Sequence, residues 1–259
     1  MKISTKSAIV LLAGMAISYS ACKKVDNSPA KTTTPSTTVG YDAVSAAVAS
    51  NFASALSGSL GGASINDGLT PKAQELYPPG ADKLCGFVAD SSIHYTTNAG
   101  GIKSTVTGQS KFFFDCIGGE PVGYTLVDAL VTTGTGPGYA FTYDIAQGYQ
   151  IASENSTATL LKVIGTLQAY KDVDYSDKKI VGTSEHDAFV ITDAVVDISS
   201  KGTYSINSGT ATFTTKGSNA QGSWNYIGTM VFIGNDIGKL TFYGHVYYVD
   251  LATGKIITI

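Results

Sequence analysis

The chain has 259 residues, a formal charge of −3 and 29 glycines, with only 14% of its residues charged, a composition that suits an exported sheet protein. All seventeen basic residues are lysine. A mildly acidic chain without the guanidinium fork that grips phosphate is poorly equipped for nucleic acid, so none is expected as a partner.

At the start, Lys2 and Lys6 precede an apolar run, Ala8–Ile17. That run is shorter than the ~20 residues needed to span a bilayer. Small residues at Ser20 and Ala21 follow, then Cys22 and the polar Lys23-Lys24. Basic, apolar, then small is the layout of a secretory signal peptide. Ser20-Ala21-Cys22 resembles the lipobox of bacterial lipoproteins, although Tyr19 stands where that family usually carries Leu or another aliphatic residue. The looser lipoboxes of uncharacterised Bacteroidota lipoproteins accept such departures, and the Ser/Thr-rich continuation is similar to theirs. The resemblance is confined to the leader. It implies cleavage after Ala21, acylation of Cys22 with palmitate-type chains, and attachment to a membrane of the bacterial cell envelope, the outer membrane. Several chains anchor a protein stably where one is marginal. The rival reading is ordinary secretion with cleavage after Ser18, which leaves Cys22 a stray thiol.

Residues 22–40 then form an acylated cysteine and a Thr/Pro-rich tether, extended and solvated, with a contour of roughly 60 Å. Residues 41–259 are expected to form one β-rich domain with an N-terminal helix. Val44, Val48, Phe52 and Leu56 recur every four residues, which predicts a helix over Tyr41–Leu60 ended by Gly61-Gly62. Its polar face carries almost no charge, so it is expected to pack on a sheet rather than lie on a membrane. A second short helix is predicted to start at Thr70-Pro71 and stop before Pro78-Pro79-Gly80.

From Lys83 onward the period is two. In "GYAFTYDI", Tyr139, Phe141, Tyr143 and Ile145 share one side; in "SWNYIGTMVFIG", Trp224, Tyr226, Met230 and Phe232 do. Runs near 84–89, 91–97, 102–107, 111–117, 123–132, 138–146, 157–170, 188–198, 202–206, 210–215, 222–233, 238–249 and 255–258 give ten to twelve strands, some of them merging. "NAGG", "NSG", "GNDIG" and "LATGK" read as hairpin turns. The fold class is therefore mainly β: an antiparallel meander forming a curved sheet, barrel or sandwich, with one helix packed on it. With Cys22 set aside, Cys85 and Cys116 are expected to pair as a disulfide in an oxidising compartment, or else to stand as two buried thiols. Closing that loop contributes about 3–4 kcal/mol by chain entropy.

Three sites compete for function. "KLTFYGHVYYVD", read as one strand, puts Thr241, Tyr243, His245 and Tyr247 opposite Leu240 and Phe242; Tyr243, His245 and Tyr247 form a candidate patch for a glycan or partner protein. Val48, Phe52 and Leu56 are the candidate face for a lipid or other apolar ligand carried inside a curved sheet. Glu185, His186 and Asp187 could supply a base and an orienting carboxylate, but adjacent strand residues alternate faces and cannot all converge. "DVDYSDKK" gathers Asp172, Asp174 and Asp177 without calcium-loop spacing and reads as a hairpin tip. "TGTGPG" leads into a strand, so it cannot cradle phosphate as a helix-opening loop does. No cofactor or metal is expected. The leading reading is a non-catalytic envelope lipoprotein, with a carrier and an enzyme behind it.

Overall fold

The computed structural model describes residues 38–56, 84–155, 159–198 and 204–258. The leader, Cys22, nearly all of the tether, residues 57–60 of the first predicted helix and the second predicted helix lie outside the described residues. One helix, α1 (Tyr41–Leu56), precedes eleven described strands. These are β1 (Val88–Ala99), β2 (Ile102–Ile117), β3 (Glu120–Gly136), β4 (Tyr139–Ser153), β5 (Leu160–Tyr175), β6 (Thr183–Ile198), β7 (Tyr204–Asn219), β8 (Gly222–Phe232), β9 (Ile237–Phe242), β10 (His245–Asp250) and β11 (Lys255–Ile257). Each pairs antiparallel with the next in chain order, in a single sheet whose edges are β1 and β11. The expected meander with one packed helix is therefore what forms, as a curved sheet that does not close.

Gly100-Gly101, Gly118-Gly119 and Tyr243-Gly244 each supply two consecutive positive φ angles, the conformation of the tight two-residue hairpin. Expected runs merge or lengthen, 102–107 with 111–117 into β2 and 188–198 into a β6 that starts at Thr183, and two readings change in kind. "NSG" lies inside β7, where Gly209 at φ 119 accompanies register slips against β6, so it is a bulge rather than a turn. The run 238–249 is not one strand, because Tyr243-Gly244 folds it into the β9–β10 hairpin.

Alternation then decides which side is core. In β8 every second residue from Gly222 to Phe232 is buried, including Trp224, Tyr226, Met230 and Phe232. In β5, Leu161, Val163, Leu167 and Ala169 face the same concave side. α1 lies in that concavity. Val44, Val48, Phe52 and Leu56 are all buried, and the Phe52 ring lies 4.7 Å from Phe189 on β6 and 6.0 Å from Phe232 on β8. Each such side chain contributes about 1.5–3 kcal/mol on burial. Inner-face glycines help the sheet bend: the Trp224 ring lies over Gly217 and the Phe213 ring over Gly228, where a Cβ would collide with the ring. The β10–β11 turn closes on the helix, with Gly254 against the Ala49–Ser50 backbone.

Cys85 and Cys116 are bonded, with Cα atoms 5.8 Å apart. The bond ties the approach to β1 to the far end of β2, beside a register slip at Asp115/Cys116. Before the helix, Thr38 bridges Ser223 in parallel and Val39 N–H donates to the Ser223 carbonyl. β9 pairs with β8 only from Thr229 onward, so Thr38 occupies strand edge that β9 leaves open.

Candidate functional site

The β9–β10 hairpin and the first turn of α1 build an aromatic cluster. Because the turn takes two residues, His245 pairs with Phe242 and Tyr247 with Leu240. His245 and Tyr247 therefore share the face of Leu240 and Phe242, which corrects the expected assignment to the opposite face. Tyr243 belongs to neither face; it is the first turn residue, at φ 49 and 66% exposed. The three predicted residues are nevertheless brought together, Tyr243 and His245 by Tyr41 and Tyr247 by His245, 6.5 Å from its ring. The Tyr41 ring stacks on His245 at 4.1 Å and lies 6.2 Å from Tyr243, whose ring also meets Tyr226 at 5.3 Å.

Hydrogen bonds fix the surround. Tyr247 Oη donates to Asp42 Oδ1 at 2.8 Å, and Tyr226 Oη donates to the Val39 carbonyl at 3.2 Å. Burial and the Asp42 carboxylate push the Tyr247 phenol up to about 12, so it stays a donor at neutral pH. Burial, with the neighbouring Tyr41 and Tyr243, raises Tyr226 as well. His245 is exposed. The result is a stacked Tyr41–His245 pair with the open Tyr243 ring beside it and polar atoms at its rim. Ring faces suit the C–H face of a sugar, and the rim atoms suit its hydroxyls.

The Glu185, His186 and Asp187 candidates do not form one site. Glu185 and Asp187 point into the concave side and are buried. His186 points outward, its ring 6.4 Å from Tyr170. Burial, and after it Lys216, lowers the His186 imidazole. Base and carboxylates thus stand on opposite faces of β6 and cannot act on one bound molecule. The two carboxyls instead meet α1: Asn51 Nδ2 donates to Asp187 Oδ2 at 2.6 Å.

The face formed by Val48, Phe52 and Leu56 is filled by the sheet's own side chains. Asp174 and Asp177 sit at the β5–β6 tip, where Asp177 Oδ1 accepts from Lys179 N–H, and Asp172 precedes it on β5. "TGTGPG" is the end of β3 and the Pro137-Gly138 turn. Among the described residues, no group of three or more metal-ligating side chains is assembled, and no helix is long and apolar enough to cross a membrane. Two contributors have no signature in the sequence, Tyr41 and Asn51. Each meets its partner across most of the chain, and only the Tyr243-Gly244 turn carries a local cue. Comparisons with protein-family models, with curated proteins and with solved structures return no match.

Proposed function

We propose that this chain is a non-catalytic lipoprotein of the bacterial cell envelope, anchored through Cys22 in the outer membrane, that binds an envelope glycan on the Tyr41–Tyr243–His245 platform. The leader's resemblance to lipoprotein signal peptides supports the attachment. One observation carries the binding reading: an exposed aromatic ring is held at a left-handed φ beside a stacked pair. A non-glycine residue at φ 49 is uncommon, and such strain is on the order of 1–3 kcal/mol. An Asn or Gly would serve this turn with less strain. The Tyr243 ring buries little of itself in return, so its use lies outside the core.

The test is an array of bacterial-envelope oligosaccharides probed with the protein and with Tyr243→Asn. Asn tolerates the turn and removes the ring. Binding by the parent that falls at least about tenfold in the variant supports the platform. Absence of saccharide binding, with capture of a defined envelope protein that Tyr243→Asn abolishes, would move the reading to a protein partner. Lipid carriage would use the Val48, Phe52 and Leu56 face, and requires the ligand to take the helix's place against Phe189 and Phe232. A lipid-sized adduct in a native mass spectrum would favour it.

A further inference from the structure

Two carboxyl groups lie beneath α1, and among the described residues no cation forms an ion pair with them. Glu185 and Asp187 are 4% and 0% exposed. Each keeps one oxygen without a hydrogen bond, Oε1 of Glu185 and Oδ1 of Asp187. Their surroundings can be named element by element. From α1 comes Asn51, donating to Asp187 and also bonded to Glu185. From β7 come Thr215, opposite Asp187, and Gly217, opposite Glu185. Thr215 Oγ1 in turn accepts from Trp224 Nε1 of β8 at 2.9 Å. From β5 come Ala169, opposite Asp187, and Lys171, opposite Glu185. Among the described residues of these elements, Lys171 is the one charged side chain facing the pair, and it is only half-buried. His186, Asp144 and Lys216 belong to the opposite face of the sheet.

Two carboxylates in one dry site cannot both ionise without a large penalty. Among the described residues no third ligating side chain joins them, so the compensating species is a proton. We propose that Glu185 and Asp187 form a proton-held latch that keeps α1 seated in the curved sheet, and that loss of the proton they share loosens the helix. Glu185 carries the proton and hydrogen-bonds Asp187, whose carboxylate accepts from Asn51 and Thr215. When the Glu185 proton passes to water, two negative charges face one helix amide and one partly solvated lysine. The nearest relief is for the Asn51 turn of α1 to withdraw and admit water. Burial first, and then the Asp187 charge, raises Glu185 to about 7, which places the event near neutral pH.

The latch stands apart from the aromatic platform. The latch acts at the Asn51 turn of α1 and the platform uses the Tyr41 turn at the helix start, and the latch is read from helix exchange rather than ligand binding, so either claim can fail alone. The experiment is amide hydrogen exchange of the intact protein between pH 5.5 and 8.5, corrected for intrinsic rates and read over residues 43–56. The latch predicts that opening of α1 increases by about tenfold or more across that range. Glu185→Gln, a fixed mimic of the protonated acid, should hold α1 closed throughout. Lys171 lowers both carboxyls by favouring their charged forms. Lys171→Met, which removes that cation, should therefore shift the opening to higher pH. His186→Gln on the outer face should change nothing. Corrected exchange in α1 that is flat with pH, an opening that Lys171→Met leaves in place or moves to lower pH, or a pH dependence that survives Glu185→Gln or vanishes in His186→Gln, would overturn the latch. Should Glu185→Gln fail to fold, the parent and Lys171→Met still decide.

Discussion

Tyr243, His245 and Tyr247 were legible in the sequence as an aromatic set, but their face was not. Tyr-Gly is a weaker turn cue than Asn-Gly, and a two-residue turn resets the alternation that the eye carries through it. Tyr41 was not legible at all, since nothing local ties a helix N-terminus to a hairpin near the other end of the chain. Glu185 and Asp187 read as reactive because they flank a histidine; the structure separates them from it and gives them to Asn51. The folded state holds the Glu185 proton more tightly than the unfolded chain does, from an ordinary 4.5 up to about 7. Its stabilisation is full below the ordinary value and is lost as pH rises through about 7. The melting temperature should fall by on the order of 5–10 °C between pH 4.5 and 8. Glu185→Gln should flatten that decline in a calorimetric series, and an equally steep decline in the variant would contradict the assignment.

Strands and turns were the better-read level. Period-two runs located the sheet because in strands such as β3, β4, β5, β8 and β9 one face packs against α1 or the concave core while the other is more open to water. What blurred the boundaries was glycine. Gly209 reads like a turn and makes a bulge, while Gly217 and Gly228 sit mid-strand under aromatic rings. The last two explain why a sheet this long can bend around one helix. Gly228→Ala should therefore destabilise the protein by about 1–3 kcal/mol, since a Cβ there meets the Phe213 ring and the Thr241 carbonyl. Gly148, where an added Cβ would meet only open space, is the matched control in chemical denaturation; equal effects at the two sites would deny the close-approach account.

For the molecule as a whole, the sequence offers a motif-level cue to location and none of comparable specificity to chemistry. The resemblance of residues 1–22 to a lipoprotein leader is compositional and short-range, so it can be read without a fold, whereas the proposed binding face is assembled from α1, β8 and the β9–β10 hairpin and exists only after folding. Anchoring makes its own prediction: the parent should incorporate labelled palmitate and sediment with membranes, and Cys22→Ser should leave it unlabelled and soluble. Membrane retention of unlabelled parent protein would reject the acylated anchor. The Cys85–Cys116 disulfide is a bond that the proposed exported setting would allow to persist, because thiols stay reduced in most cytosols. Recognition of a glycan at the aromatic platform is the proposal that joins these observations. It is tested most directly by following the ring resonances of tyrosine-labelled protein during titration with envelope oligosaccharides. Glycan recognition there predicts saturable shifts at Tyr41, Tyr243 and Tyr247 that disappear in Tyr243→Asn. Shifts confined to Tyr139, Tyr143 or Tyr175 at the far side of the sheet, or none at any tyrosine, would contradict it.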